Sequence, residues 1–455
     1  MRAVLTSCLT LPWHRDLQWA VDELTLQQKK MTELAEPGVL LAYTLEDGHL
    51  TVPKCWGLLN KDRLGITDID DRQPVGEQAH AELSLPSLRP HQSEALTAIR
   101  NQLLSTEHGG GCVLVLSCGM GKTVTALAVA ASLKAKTLII VNTSVLLKQW
   151  METIEQYVPD AIVGQIRQSK CEVEGRTHVV ALLQSLVKRN YCLDSFQLLC
   201  LDEVHRTCAP LMSKVVQIAG CRWKLGLTAT PLRADNLSRF LEIGIGPVAY
   251  EQHREKSTDL RAFAILLSSG PTRMLTLRKA GKDIPNIAKM INLLEPSTPR
   301  ALARQQLAEA WLLLCCSKGR KVIVLADRIE LLKDLQKRVD TALSTCFVIG
   351  SAKQAERDRA HSVQVIFASY GAASEGFDCP SLDTILYLTP RSGVSVVTQT
   401  VGRLMRQGGR SPLVIDFVDA VPLFVNMHLK RRGVYKKLGA TITYYDEQRC
   451  EVAPP

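Results

Sequence analysis

Two tandem α/β domains built on parallel sheets, preceded by a small α+β domain, form the fold class that three observations predict for this 455-residue chain. Short runs rich in Val, Ile and Leu alternate with helical patterns, as in parallel sheets covered on both faces, whose ligands bind at the carboxyl ends of the strands. The turn Ser117-Cys118-Gly119-Met120-Gly121-Lys122-Thr123 follows one such run directly and opens a helical pattern. A stretch punctuated by Gly and Pro then divides the alternation into two.

Taken in order, residues 1–85 combine an extended-looking segment at 39–45, the turn residues Glu46-Asp47-Gly48 and a charged stretch at 61–78, which predicts a small accessory domain. Its Trp13, Trp19 and Trp56 could stack on nucleic-acid bases. Filling a small core is the commoner use of large aromatics. Residues 86–250 form the first α/β domain. In Leu88-Arg89-Pro90-His91-Gln92 the proline suits a helix start, and strand-like runs follow at 112–116, 137–141, 178–182, 198–201 and 224–227. Residues 251–299, with Gly270-Pro271, Gly281, Pro285, Pro296 and Pro299, read as an interdomain connection. From 300 to 455 the alternation returns, with runs at 322–325, 363–367, 385–388 and 413–415. The closing Lys430, Arg431, Arg432, Lys436 and Lys437 read as a solvated basic face.

Whole-chain properties narrow the function. With 46% hydrophobic residues each domain can bury a core, which excludes a disordered or fibrous protein. A net charge of +10 favours an anionic partner such as nucleic acid. Fourteen cysteines include no Cys-x-x-Cys pair and no matching histidine cluster, so they read as reduced thiols of an intracellular protein, cytoplasmic or nuclear. The start reads as neither signal peptide nor membrane anchor.

The Gly-rich turn has the parts of a Walker A phosphate loop. Its glycines let backbone N–H groups curl around phosphates, Lys122 neutralises outer oxygens, and Thr123 can ligate Mg2+ at the start of a helix. One departure is Leu116, standing five places before Gly121 where the full pattern has a small residue. A plain strand-to-helix turn is the alternative reading of the heptad. Directly after the apolar run 198–201 comes Asp202-Glu203-Val204-His205, two carboxylates at a strand end. There Asp202 can hold Mg2+ and Glu203 can orient or deprotonate the water that attacks a γ-phosphate, while a surface acidic turn is the alternative. The spacing permits both motifs to end neighbouring strands of one sheet, and together they point to ATP and Mg2+.

Lys122 in its loop, the DEVH box Asp202–His205, Thr228-Ala229-Thr230-Pro231 and Gln399-Thr400-Val401-Gly402-Arg403-Leu404-Met405-Arg406 occur in the order found in superfamily 2 helicases, which the chain resembles. Finer features, among them Glu375-Gly376-Phe377-Asp378 and Asp416-Phe417-Val418-Asp419, are similar to the XPB-like branch, including viral DNA-dependent ATPases related to the poxvirus transcript-release helicase. The resemblance covers about residues 86–440. It implies two RecA-like domains that hydrolyse ATP in the cleft between them and move along nucleic acid, DNA by preference, with an ATP-dependent RNA helicase as the runner-up. A binding scaffold without turnover is the contrasting class.

The same resemblance implies roles by position. Gln92 would sit against the adenine. Ser117, Cys118, Gly119, Met120, Gly121, Lys122 and Thr123 would hold the phosphates, with Gly376 and Asp378 near the ribose. His205, Thr228 and Thr230 would couple the nucleotide to the nucleic acid, and Gln399 would help place the water. Arg403 and Arg406 would act as arginine fingers. Thr143, Gln184, Ser185, Arg328 and Ser369 would touch the nucleic-acid backbone. Many relatives carry threonine where this chain has Leu182, two residues before the Gln-Ser pair.

Overall fold

The computed structural model describes residues 1–27, 39–84, 87–117, 119–204, 220–229, 238–253, 259–268, 274–279, 282–295, 299–350, 354–374, 379–391, 393–405 and 410–454. The chain divides into two compact units, Met1–Arg254 and Glu255–Pro455.

The first unit is centred on an eight-stranded sheet. Edge to edge its strands are Lys170–Cys171, Val163–Arg167, His178–Leu182, Thr137–Val141, Leu198–Leu201, Trp223–Thr228, Gly110–Leu116 and Val248–Gln252. All neighbours are parallel except the first pair. The strands Gly110–Leu116, Thr137–Val141 and Leu198–Leu201 are almost wholly apolar because alternate residues enter two different cores. Cys112, Leu114, Ile139, Val141 and Cys200 pack with the helices Pro90–Leu103, Lys122–Leu133 and Ser144–Tyr157. Val113, Val115, Leu138, Ile140 and Leu199 share the opposite core with residues of the amino-terminal region.

That region forms a five-stranded sheet ordered Thr44–Glu46, His49–Pro53, Cys8–Pro12, Arg2–Leu5 and Asp68–Asp71, antiparallel apart from the last pair. Its Leu5, Leu9, Leu11, Leu50 and Trp56 are buried in the core that the eight-stranded sheet also enters. Trp56 therefore fills core space, with Trp19 tilted against it at a centroid separation of 5.6 Å. Two lysines fasten the joint. Lys54 Nζ donates to Gln73 and to the carbonyls of Cys221 and Arg222, and Lys224 Nζ donates to the Ser7 carbonyl at 3.4 Å. Burial, and next the positive charge of Lys224, bring the Lys54 amine down to about 7.

The second unit carries a sheet ordered Thr345–Val348, Val365–Ser369, Val322–Ala326, Thr384–Tyr387, Leu413–Asp419, Arg261–Leu267, Thr441–Tyr445 and Glu451–Val452, parallel apart from the last pair. Arg261–Leu267 lies within the span that reads as a connection, yet it is an interior strand paired on both sides. Its apolar run is hidden in sequence by the Pro- and Gly-rich segments beyond it.

Arg431 also departs from the sequence reading, in which it belongs to a solvated basic face. It is buried and grips Asp416 through Nε at 2.9 Å and Nη2 at 2.7 Å, while the His428 ring nitrogen Nδ1 lies 2.9 Å from the same carboxylate. Three strand residues on, Asp419 accepts from Nε of buried Arg304 at 2.8 Å. A helix that must seal a sheet can bury one guanidinium only by pairing it.

The cysteines among the described residues are free thiols, of which Cys171, Cys192 and Cys450 are exposed. No helix among the described residues is long and apolar enough to cross a membrane.

Candidate functional site

The helix Lys122–Leu133 begins immediately after the Gly-rich turn, with Gly121 as its N-cap at φ 88° and Gly119 at φ 79°. Both angles lie in the left-handed region where only glycine is free of strain. A Cβ at Gly121 would also meet Nε2 of Gln92, so that side chain would have to shift and give up its hold on the loop. The turn is held from the helix Pro90–Leu103. His91 Nε2 donates to the Met120 carbonyl at 2.9 Å, Gln92 Nε2 donates to the Gly121 carbonyl at 3.4 Å, and Gln92 Oε1 accepts from the Arg89 amide at 2.9 Å. Gln92 is buried, so the expected adenine-side residue also serves as a prop for the loop. In sequence His91 reads only as a neighbour of Gln92 at the adenine, and its hold on the loop carbonyl emerges from the structure. Lys122 Nζ donates to the Leu116 carbonyl at 3.3 Å, and Thr123 is half-buried on the first helical turn.

Asp202 and Glu203 follow the strand Leu198–Leu201. This strand and the one ending at Leu116 are not neighbours, because Trp223–Thr228 runs between them in the same sheet. The expected adjacency therefore widens by one strand, and the intervening strand ends at buried Thr228. Both oxygens of Asp202 are engaged. Oδ1 accepts from the Glu203 amide at 2.9 Å, and Oδ2 accepts from the Trp150 indole N–H at 2.8 Å. Burial, and then the neighbouring charge of Glu203, push the Asp202 carboxyl up to about 6, while Trp150 and Lys122 pull it down. Glu203 itself has φ 49°, an unusual conformation for a residue with a side chain.

A triphosphate with Mg2+ fits these residues. Two left-handed glycines open a loop at a helix start, an amine stands beside it, and a buried carboxylate sits in an electrostatic setting that a cation would relieve. Among the described residues no group of three or more His, Cys, Asp and Glu could hold a metal. A Mg2+ here would rest on Asp202, Thr123 and phosphate oxygens.

Because the strands are parallel, the other expected residues of this unit lie at the same carboxyl edge. Thr143 caps the helix Ser144–Tyr157, its hydroxyl oxygen accepting from the Leu146 amide at 3.3 Å. Gln184 is exposed, whereas Ser185 is buried and accepts from the Gln168 amide at 2.9 Å. They follow the adjacent strands Thr137–Val141 and His178–Leu182.

The second unit repeats this arrangement on Val322–Ala326 and Val365–Ser369, which are also adjacent. Arg328 donates to Asn292 at 2.7 Å and to the Ala288 carbonyl at 3.2 Å, and Ser369 accepts from the Ala372 amide at 3.3 Å. Gln399 is buried on the helix Val394–Leu404, while half-buried Arg403 donates to the Ala373 carbonyl. Cys118, His205, Thr230, Gly376, Asp378 and Arg406 lie outside the described residues.

Residues 85–233 match the family model for the type III restriction enzyme, res subunit, and residues 302–408 match the helicase conserved C-terminal domain. The two models occur in the order of the two sheet-bearing units. The chain is a superfamily 2 helicase. This helicase hydrolyses ATP and acts on nucleic acid. It is 29% identical over 393 residues to L396 of Acanthamoeba polyphaga mimivirus, named a candidate ATP-dependent RNA helicase, covering 83% of this chain and 72% of that protein. It is 24% identical over 438 residues to QP509L of African swine fever virus, named likewise, covering 88% and 82%. To the DNA 3'-5' translocase XPB2 of Sulfurisphaera tokodaii it is 26% identical over 381 residues, covering 76% and 84%. Among solved structures, S. cerevisiae Dbp5 bound to RNA and ADP BeF3 aligns with a TM-score of 0.54 at 13% identity, over 81% of this chain and 96% of that one. The fold is two RecA-like α/β units with a small amino-terminal α+β sheet.

Proposed function

We propose that this helicase is an ATP-driven translocase that tracks the phosphate backbone of duplex DNA. One observation carries the reading: the phosphate loop, the acid pair and the strand-end hydroxyls share one carboxyl edge of a single parallel sheet. Thr143, Gln184 and Ser185 in the first unit, and Arg328 and Ser369 in the second, would each contact backbone and read no base, as a motor that must pass over any sequence requires. Similarity to a protein named as a DNA translocase supports DNA as the track. The names of the viral relatives favour RNA as the second reading.

In this reading Ser117–Thr123 is the Walker A loop and Asp202–His205 the DEVH box. Gln92 borders the adenine, and Gly376 and Asp378 approach the ribose. Asp202 and Thr123 would hold Mg2+, and a cation bound there would offset the charge of the phosphate oxygens. Glu203 takes a proton from the attacking water, which Gln399 helps to place. Arg403 and Arg406 would act as arginine fingers on the charge that develops at the γ-phosphate. His205, Thr228 and Thr230 pass the state of the nucleotide to the backbone grip.

The test compares ATPase stimulation by duplex DNA, single-stranded DNA and RNA at two salt concentrations. Duplex DNA should stimulate most, and the effect should fall as salt rises, because phosphate contacts release counterions. Stronger stimulation by RNA would move the assignment to the second reading. Glu203→Gln should lower stimulated kcat by roughly 10²- to 10⁴-fold, the usual worth of a general base, with ATP still bound. Unchanged turnover in Glu203→Gln or Lys122→Ala would remove the catalytic assignment.

A further inference from the structure

Trp150 lies on the core-facing side of the helix Ser144–Tyr157, among Leu147, Ile154 and the apolar residues of the neighbouring strands, and is 2% exposed. Apolar packing asks only for a large ring at this place. An indole brings one polar atom with it, and a buried N–H must find an acceptor. The acceptor here is Oδ2 of Asp202, at 2.8 Å, with both groups buried. The second oxygen is fixed from the other side by the Glu203 amide at 2.9 Å. Two donors, one on each oxygen, set the plane and rotation of this carboxylate and leave further lone pairs on both oxygens for a metal or its water.

We infer that Trp150 is a positioning residue of the ATPase, whose indole N–H holds the Asp202 carboxylate in the orientation in which it meets Mg2+. The inference rests on Asp202 being the metal-side carboxylate proposed above. The indole is well placed for this task because its helix is anchored at its first turn by the Thr143 cap and along its length by Leu147 and Ile154. A carboxylate free to rotate would lose orientation each time the nucleotide leaves, whereas one pinned by a rigid ring keeps it. Outer partners that orient metal ligands typically alter metal affinity by roughly 10- to 100-fold when removed.

The experiment uses the full chain and Mn2+ as the metal probe, with binding followed by electron paramagnetic resonance in the presence of a nonhydrolysable ATP analogue. Trp150→Phe keeps an aromatic ring and removes the donor. A variant with benzothienylalanine at position 150 keeps the ring shape and replaces N–H by sulfur, so it reports on the donor even if Phe loosens the core. Both should weaken Mn2+ binding about tenfold, raise the Mg2+ concentration for half-maximal ATPase in step, and leave binding of metal-free nucleotide unchanged. Native Mn2+ affinity in the benzothienylalanine variant would overturn the inference. Asp202→Ala separates the two levels. If it weakens Mn2+ binding while the position-150 variants do not, Trp150 alone is misassigned. If Asp202→Ala leaves Mn2+ binding intact, the metal assignment falls and the role of Trp150 falls with it.

Discussion

Gly121 combines a left-handed backbone with a side-chain neighbour at the place where its own Cβ would stand. Gly121→Ala should therefore abolish nucleotide binding, measured by fluorescence anisotropy of a labelled ATP analogue, because relieving the clash displaces either the loop or Gln92. Asp416 is the corresponding fixed point of the second unit. Its carboxyl is held down to about 2, against the cost of burial, by Arg431 and then by His428. The folded value lies below the unfolded one, so this contribution is complete above about pH 4 and is lost as the pH falls toward 2. Asp416→Asn leaves the Arg431 guanidinium buried without its counter-charge and should destabilise the second unit by about 3–5 kcal/mol in urea melts at pH 7. At this scale the sequence was legible in placement where chemistry imposes a motif: Lys122 opens a helix after the glycine turn, and Asp202 and Glu203 follow a strand. It was opaque for His91, Trp150 and Arg431. Their partners lie on other elements, so sequence alone reads His91 as a neighbour of Gln92 and Arg431 as part of a solvated face, and gives Trp150 no role.

The runs of β-branched and leucine residues at 137–141, 178–182 and 198–201 coincide with interior strands, since a parallel strand covered on both faces has no polar alternation to confuse the reading. Arg261–Leu267 was missed as an element because its apolar run stands beside Pro- and Gly-rich segments and its sheet partners, Leu413–Asp419 and Thr441–Tyr445, follow far later in the chain. The joint between the amino-terminal sheet and the ATP-binding sheet has a measurable signature through Lys54. With a folded value of about 7 against an ordinary 10.5, the unfolded chain holds a proton that the folded chain releases across that interval. Stability from this group therefore rises with pH above about 7, by at most about 1.4 kcal/mol per unit, and is flat below it. Lys54→Met should remove that slope. Urea melts of both proteins at pH 7 and 8 should converge as the pH rises, and parallel pH dependence would contradict the assignment.

At the scale of the whole chain, the first eighty-four residues carry eight Lys and Arg against thirteen Asp and Glu, although the protein as a whole is basic at +10. An acidic surface repels a phosphate backbone, so this region suits bracing better than gripping. Its apolar residues complete the core on one face of the ATP-binding sheet. Deleting residues 1–84 should leave a protein that aggregates or lacks a cooperative first unfolding transition in calorimetry, and a well-folded ATPase from the shortened chain would refute the brace. The thiols supply a way to watch the motor itself. Once Cys171 is changed to Ser, Cys192 and Cys450 are the exposed cysteines among the described residues, one in each unit. The proposed translocase predicts that the energy-transfer efficiency between a donor and an acceptor dye on that pair changes with each nucleotide state, and an efficiency that stays constant through ATP binding and hydrolysis would contradict it.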